Sequence, residues 1–145
     1  MGQPRYLSVP GQFEQLVQIA EFVTQAAREA GLTNDDVFHV EMAVDEACSN
    51  IIEHAYADHS GDIDLTCTNS APGVFEITIH DSGRSFNPDG VALPPLDVLS
   101  DVDDLNEGGL GLYFMRKLMD EVRFDMASGQ GNTLTMTKRS RQLVV

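Results

Sequence analysis

The chain has 145 residues, the usual size of one domain, and 42% of them are hydrophobic, too many for a disordered protein. Nine Lys and Arg against 23 Asp and Glu give a formal net charge of −14. Phosphate backbones and anionic lipid would repel such a chain, which argues against direct nucleic-acid binding and membrane association. We therefore expect a single folded domain over residues 1–145.

The sequence also indicates a cytoplasmic protein. It lacks a basic segment followed by an apolar core at its start, and no apolar run approaches the ~20 residues of a membrane span. Cys48 and Cys67 are the only cysteines and belong to no CxxC or Cys/His pattern. We expect two buried free thiols, as is usual in a reducing compartment.

The first part of the chain predicts a short strand and two helices. Residues 5–9 have the character of an edge strand, and apolar residues recur with a helical period over 12–30. Thr33 with Asp36 resembles a capping box that opens a second helix. We expect this helix to continue to about Tyr56.

The remainder predicts two strand pairs with an irregular segment and a helix between them. The segment at 81–108 contains three prolines and no clear period, and such long irregular stretches are usually functional. The expected strands are 62–68, 74–80, 121–127 and 132–138, with a helix at 109–119. On that helix we expect four residues in the core: Phe114, Met115, Leu118 and Met119.

This order of elements favours an α+β fold. We expect a two-layer sandwich, in which the helices pack on one face of a mixed, mostly antiparallel sheet. In the strand at 74–80, apolar and polar residues alternate, so one face of the sheet is expected to be wetter than the other.

Glu46 and Asn50 form the first polar pair that could carry chemistry. Their spacing of four puts a carboxylate and a carboxamide on one helix face, beside the apolar stripe. An amide oxygen is a hard ligand that suits Mg²⁺, and a neighbouring carboxylate can accept a hydroxyl proton. Alone, such a pair is more typical of a solvated helix face.

Two glycine-containing motifs follow. Asp81 ends a strand, where a carboxylate can accept a hydrogen bond from a base amino group, and Gly83 lets the backbone approach a flat ring. Gly108, Gly109 and Gly111 open a helix, where backbone N–H groups can face an anion. Each motif alone is equally typical of a turn or a flexible helix entry.

The three motifs, in this order and at these distances, resemble those of the ATPase domain shared by gyrases, chaperones and histidine kinases. Within that superfamily the chain resembles the small serine kinases that act as anti-sigma factors. EACSN matches the N-box, DSGRSFNP the first glycine box and GGLGLYFM the second, while GNTLTMTK at 131–138 matches the closing strand. The resemblance spans about residues 5–139.

The resemblance implies a histidine-kinase-like (Bergerat) sandwich that binds ATP and Mg²⁺ beneath a lid at about 84–108. Glu46 would be the general base or would orient the acceptor hydroxyl, and Asn50 would coordinate Mg²⁺. Asp81 would bind the adenine amino group, with Gly83 beneath the base. The other implied positions are Gly108, Gly109 and Gly111 around the phosphates and Thr133 near adenine and Asp81.

The resemblance also implies partners. The substrate of such kinases is a serine or threonine on a small antagonist of the STAS class. The second partner is a sigma factor, which the kinase holds, and these kinases are commonly homodimers.

One departure from the family concerns positive charge. Residues 85–115 contain no Lys or Arg, whereas some relatives place an arginine just before the second glycine box. Phosphoryl transfer depends on charge stabilisation, so Arg84, Arg116, Lys117 or a partner would have to supply it. We therefore expect nucleotide binding to depend strongly on Mg²⁺ and ATP hydrolysis by the free protein to be slow.

Two other functions stay open at this point. A binding-only switch would bind its partner, and nucleotide, without transferring phosphate. The absence of a cation from the lid segment favours this function, and Glu46 argues against it. The catalytic half of a histidine kinase would need a phosphoacceptor histidine on a helix pair, and residues 12–30 contain no histidine.

Overall fold

The computed structural model describes residues 3–56, 60–83, 109–125 and 131–140, which form three helices and a five-stranded sheet. The helices are α1 (Leu16–Glu29), α2 (Asn34–Asn50) and α3 (Gly109–Leu118). The strands are β1 (Arg5–Pro10), β2 (Asp62–Ala71), β3 (Val74–Asp81), β4 (Glu121–Asp125) and β5 (Asn132–Arg139). The expected lid at 84–108 lies outside the described residues.

The strands lie in the order β1-β2-β3-β5-β4, and each described pair of neighbours is antiparallel. The α+β class with helices against one sheet is confirmed. A mixed sheet was expected, but the described strands include no parallel neighbours. The reason is that α3 carries the chain from β3 to β4, which run in the same direction, and β5 then inserts between them.

The sheet has one dry and one wetter face, as the alternation in β3 predicts. Phe75, Ile77 and Ile79 are buried against the helices, while the residues between them are half-buried. On the wetter face, hydroxyl groups meet across β3 and β5, and Oγ1 of Thr78 lies 3.4 Å from Oγ1 of Thr135. The core therefore sits between the helix layer and one side of the sheet only.

Helix α1 is preceded by a 3₁₀ turn (Phe13–Gln15) and buries Ile19, Val23 and Ala27. Val17 belongs to the apolar pattern of this segment, yet 68% of its surface is exposed. At 100° per residue, a residue two positions before Ile19 points away from the buried stripe. The helical period is thus confirmed, but its inward face is narrower than the apolar residues suggest.

Helix α2 begins as the sequence predicts. Thr33 is the N-cap, and its Oγ1 accepts a hydrogen bond from the backbone N of Asp36 at 3.2 Å. The helix continues through a π-helical turn (Ile51–Ala55), which closes with a 2.9 Å hydrogen bond from Tyr56 N to Ile51 O. The expected end near Tyr56 is confirmed.

Helix α2 lies at the centre of the helix layer, because it packs against both α1 and α3.

Both cysteines are free and buried, as expected. Burial raises the pKa of Cys48 to about 12, with further contributions from the charges of Asp45 and Asp81. Burial likewise raises the pKa of Cys67 to about 12, partly offset by Arg5, so both thiols are inert packing groups.

Of the residues expected in the core, Met115 on α3 and Met119 just after it are buried, and Leu118 packs partly buried against the core. Leu112 of α3 is buried as well. Phe114, however, is 46% exposed, so its expected place in the core is wrong. It lies two residues beyond Leu112 and therefore on the opposite side of the helix. Within the described part of the chain, no helix combines the length and apolar character needed to cross a membrane.

Candidate functional site

Segments far apart in the sequence meet at one end of the sheet, beneath the carboxyl-terminal half of α2. Asp81 ends β3 and stands opposite Ile63 of β2 and Asn132 of β5. The turn after β3 touches the π-helical turn that follows α2, and the start of α3 touches α2 itself. Most of the residues that the motifs single out therefore surround one region.

Gly111 and Glu46 are in direct contact. A β-carbon at position 111 would overlap Oε1 of Glu46 and lie 2.8 Å from its Cδ. With glycine at this position, the first turn of α3 contacts the carboxylate without displacing the Glu46 side chain. The second glycine box is thus packed against the N-box, 65 residues earlier in the chain.

The carboxylate of Glu46 is half-buried in the groove between α2 and α3. Burial raises the pKa of Glu46 above its ordinary value of 4.5, and the nearby negative charges of Asp45 and Glu53 raise it further. A carboxylate whose pKa is raised is a better proton acceptor at neutral pH than a freely solvated one. Asp45, its neighbour in sequence, is exposed instead.

Asn50 lies one helical turn beyond Glu46, is half-buried, and is the last residue before the π-helical turn. No group of three or more His, Cys, Asp or Glu side chains gathers as a metal site within the described ranges. This donor set fits Mg²⁺ that arrives with a nucleotide, because Mg²⁺ keeps its waters and takes phosphate oxygens alongside one or two protein oxygens. A site preformed entirely from protein ligands is not what these residues provide.

Asp81 is buried, with 3% of its surface exposed, and its carboxylate is held by two donors. Oδ1 accepts hydrogen bonds from the backbone N of Gly83 at 2.8 Å and from Nδ2 of Asn132 at 2.9 Å. Among the described residues, no donor reaches Oδ2. The second oxygen is therefore available to accept a hydrogen bond from a ligand, and the first is fixed by the fold.

Gly83 is required by the close approach of two backbones. A β-carbon there would lie 2.5 Å from the carbonyl O of Ala55, in the π-helical turn. Gly131 has a similar role at the start of β5, where its φ of 84° disfavours other residues and a β-carbon would overlap the carbonyl O of Asp81. Both glycines keep the backbone around Asp81 in tight contact.

Tyr56 fixes the turn that follows Asp81. Its hydroxyl donates to the carbonyl O of Asp62 at 2.6 Å and accepts from the backbone N of Ser82 at 2.9 Å. Its ring fills the space beside Gly11 and Gly61, where β-carbons would lie 2.6 Å and 2.5 Å from ring atoms. Sequence reasoning did not single out Tyr56, because an aromatic residue at a helix end is usually a packing residue.

Thr133 contacts His80 and not Asp81. It stands opposite His80 on the wetter face of the sheet, and its Oγ1 is 2.9 Å from Nδ1 of His80. Successive residues in a strand point to opposite faces, so the residue that reaches Asp81 is Asn132. The structure thus brings Asn132, and not Thr133, into contact with Asp81, and the strand period of two is the signal that separates these neighbours.

Two of the expected sources of positive charge, Arg116 and Lys117, lie away from the contact between Gly111 and Glu46. Arg116 and Lys117 are exposed in the last turn of α3, at the opposite end of that helix from Gly111. Gly109 is the first residue of α3, whereas Gly108 and Arg84 lie outside the described residues. The described part of the site is therefore dominated by carboxylate and amide groups.

Comparison with known proteins matches this fold and these motifs to one family. Residues 9–138 match the family model of the histidine kinase-like ATPase domain. The serine-protein kinase RsbW of Halalkalibacterium halodurans is 37% identical over 134 residues, covering 91% of this chain and 80% of its own. RsbW of Bacillus subtilis is 39% identical over 139 residues, with 91% and 82% covered, and RsbW of Bacillus licheniformis is 42% identical over 119 residues, with 77% and 70% covered.

The chain therefore belongs to the histidine kinase-like ATPase family. Within that family it belongs with the serine-protein kinases of the RsbW type.

Two solved structures share the fold. The RsbU and RsbW domains of Rv1364c from Mycobacterium tuberculosis superpose with a TM-score of 0.67 at 20% identity, covering 95% of this chain and 32% of that one. The blue-light activated histidine kinase EL346 of Erythrobacter litoralis gives a TM-score of 0.60 at 20% identity, covering 90% and 42%. This chain spans less than half the length of either protein, so the likeness concerns the shared domain.

Proposed function

We propose that this protein uses ATP to phosphorylate a serine or threonine of a STAS-type anti-sigma factor antagonist, and that it sequesters a sigma factor in the same partner-switching system. The RsbW relatives support this class of reaction. The observation that carries the proposal is the half-buried carboxylate of Glu46, held between α2 and α3 and one helical turn from Asn50. We expect the protein to work as a cytoplasmic homodimer.

The nucleotide would lie across the residues around Asp81. Oδ2 of Asp81 would accept a hydrogen bond from the adenine amino group, and the backbone at Gly83 would lie beneath the base. The glycines at 108, 109 and 111 would present backbone N–H groups to the phosphates. Asn50 would hold Mg²⁺, which when bound neutralises charge on the phosphate oxygens.

In the transfer step, the acceptor oxygen forms a bond to the γ-phosphorus while the bond from that phosphorus to the bridging oxygen of ADP breaks. The hydroxyl proton passes to the carboxylate of Glu46. The burial and the neighbouring negative charges that raise the pKa of Glu46 suit it to this role. ADP leaves with the electron pair of the broken bond.

The acceptor protein would approach over the groove between α2 and α3. Met42 on α2 is 44% exposed and Phe114 on α3 is 46% exposed. Met42 lies one helical turn from Glu46, and Phe114 lies about one turn from Gly111. Two exposed apolar side chains, each about one helical turn from the contact of Glu46 with Gly111, are suited to contact a protein rather than a small hydroxylated substrate.

The direct test is transfer of labelled γ-phosphate from ATP to a purified STAS-domain antagonist. Glu46→Gln is expected to abolish transfer while ADP still raises the melting temperature of the variant. Asp45→Asn removes the same charge from the adjacent exposed position and should retain transfer. Normal transfer by Glu46→Gln would remove Glu46 from the reaction.

The second candidate is a nucleotide-regulated switch with little or no kinase activity. It is favoured by the absence of Lys and Arg from residues 85–115 and by the position of Arg116 and Lys117 at the far end of α3. A protein that binds ADP and both partners but transfers no phosphate to the antagonist would establish this alternative.

A further inference from the structure

A buried lysine outside the nucleotide site links α3 to α2. Lys138 lies on β5 and only 3% of its surface is exposed. Its Nζ donates a 2.5 Å hydrogen bond to the carbonyl O of Leu118, the last residue of α3. The same Nζ lies 3.4 Å from Nδ1 of His39 and 3.9 Å from Oδ1 of Asp36, both on α2.

This arrangement is electrostatically favourable for both helices. The last carbonyl groups of a helix carry partial negative charge and lack partners within the helix, so an ammonium group at Leu118 satisfies them. Asp36 lies in the first turn of α2, where a negative charge is favoured. Lys138 is therefore the cation between two groups that both need one.

A buried lysine is nevertheless a costly way to fill this space. Apolar side chains of similar volume in place of both Lys138 and Asp36 would avoid the loss of hydration of the ammonium group and of the buried carboxylate. What the ion pair adds is direction, because the hydrogen bond and the ion pair fix where α3 ends relative to where α2 begins. This indicates that Lys138 serves to fix the relative position of the two helices.

The geometry that Lys138 controls includes the site. Helices α2 and α3 are antiparallel, so that Gly111 meets Glu46 at one end of their contact and Leu118 meets the start of α2, through Lys138, at the other. Seven residues separate Gly111 from Leu118, which is about 10 Å along the helix. A tilt of about 6° at the Lys138 end would move Gly111 by about 1 Å, and misplacement on that scale can cost ~100-fold in rate.

The exit of α3 is also attached to β5 by backbone hydrogen bonds. Asp120 N donates to Thr137 O at 2.9 Å, and Arg139 N donates to Oδ2 of Asp120 at 2.6 Å. These bonds hold the end of α3 to the sheet. Of the β5 contacts at this point, the ammonium group of Lys138 is the one that also reaches α2.

We propose that Lys138 is a positioning residue for phosphoryl transfer: it fixes α3 against α2 so that Gly111 stays in register with Glu46. The proposal rests on the function proposed above, because Glu46 and Gly111 are the residues whose spacing Lys138 controls. Lys138 lies at the opposite end of the α2–α3 contact from Glu46, so it would act through the helices and not by touching nucleotide or acceptor.

The test separates positioning from folding. Lys138→Met leaves the buried Asp36 carboxylate without its cation, so this variant is expected to lose thermal stability. The double variant D36N/K138M removes both charges and is expected to regain most of the melting temperature. If Lys138 positions α3, the double variant still has kcat lowered ~10–100-fold, while KM for ATP stays within about threefold because Asp81 and Asn132 are untouched.

Recovery of both the melting temperature and kcat in D36N/K138M would overturn the proposal, since Lys138 would then serve stability alone. Amide hydrogen exchange at residues 111–115 gives an independent readout and should be faster in the double variant at unchanged melting temperature. If D36N/K138M does not fold, D36N/K138Q carries the same test with an uncharged amide donor. Failure of the kinase proposal itself is seen separately, as absence of phosphate transfer to the antagonist by the wild-type protein.

Discussion

Gly111 lies so close to Glu46 that a β-carbon at position 111 would force the Glu46 side chain to move. The position is inside a helix, where alanine is normally more stable than glycine by about 1 kcal/mol. Helix formation therefore cannot explain the glycine, and the contact with Glu46 can.

Gly111→Ala is expected to lower the melting temperature and to reduce phosphate transfer, because the new methyl group displaces Glu46 or α3. In a Glu46→Ala background the overlap is gone, and the same substitution should instead stabilise the protein by about 1 kcal/mol. Thermal unfolding of the four proteins in this cycle measures the reversal of sign. Stabilisation by Gly111→Ala with Glu46 present would contradict the contact.

Glu46→Gln should make the protein more stable at neutral pH. Burial, Asp45 and Glu53 raise the pKa of Glu46 in the folded state above 4.5, so ionisation of this carboxyl opposes folding. Below pH 4.5 both states are protonated and the two proteins should be equally stable. As the pH rises through the raised pKa, the wild type alone loses stability, and denaturant unfolding between pH 4 and pH 8 should show the difference appear. A difference that is the same at every pH would mean that the amide stabilises for another reason.

Tyr56→Phe should weaken both the fold and the nucleotide site, because it leaves the backbone N of Ser82 without its acceptor and the Asp62 carbonyl without its donor. Loss of such bonds costs about 2 kcal/mol, or roughly 5 °C in melting temperature for a domain of this size. ADP titration should show lower affinity, since the turn that carries Gly83 is no longer fixed. Tyr6→Phe is the matched control, because Tyr6 is 73% exposed and its substitution should change neither quantity.

Asn132→Ala and Thr133→Val distinguish the two neighbours on β5. Asn132→Ala removes a donor from Asp81 and should weaken ADP binding about tenfold, equivalent to ~1.4 kcal/mol. Thr133→Val keeps the shape of the side chain and loses only the hydroxyl group that meets His80 on the other face. Calorimetric titration with ADP should leave that variant close to wild type, and the reverse order of affinities would restore Thr133 to the site.

Nucleotide binding should depend strongly on Mg²⁺, because the described site offers carboxylate and amide groups to a polyanion. Excess EDTA or Asn50→Ala should each remove most of the thermal shift that ATP produces. Ser49→Ala, next to Asn50 in the same helix, should retain the shift. Comparable ATP affinity with EDTA would show that a protein cation neutralises the phosphates instead.

The sequence predicted most of the elements because their signals are local. Thr33 caps α2 through a bond to Asp36, and the alternation in β3 marks its two faces. Contacts between elements were harder to predict from the sequence. The antiparallel pairing of β5 between β3 and β4 depends on where the chain returns after α3, which no periodicity encodes.

The motifs predicted which residues belong to the site. They did not predict which face of a strand or helix each residue occupies. Glu46, Asp81 and Gly83 come from separate motifs and lie around one region of the fold, and the contact of Gly111 with Glu46 adds a reason for one glycine. The motif pointed to Thr133 and not to its neighbour Asn132, because a motif does not specify which residue of β5 stands opposite Asp81. Tyr56 was not singled out because its importance comes from two backbone partners of its hydroxyl, Asp62 and Ser82, which only folding brings together.

The position of β5 between β3 and β4 has a consequence for biosynthesis. β2 is made just before β3, but the strand that completes the other edge of β3, and that brings Asn132 to Asp81, follows 51 residues later. Until then the nascent chain carries an unpaired edge that neighbouring chains can join, and such late, distant pairing is slow. Cellular ATP can stabilise only the finished domain, so the ribosome-bound protein has to pass through this interval without help from its own ligand.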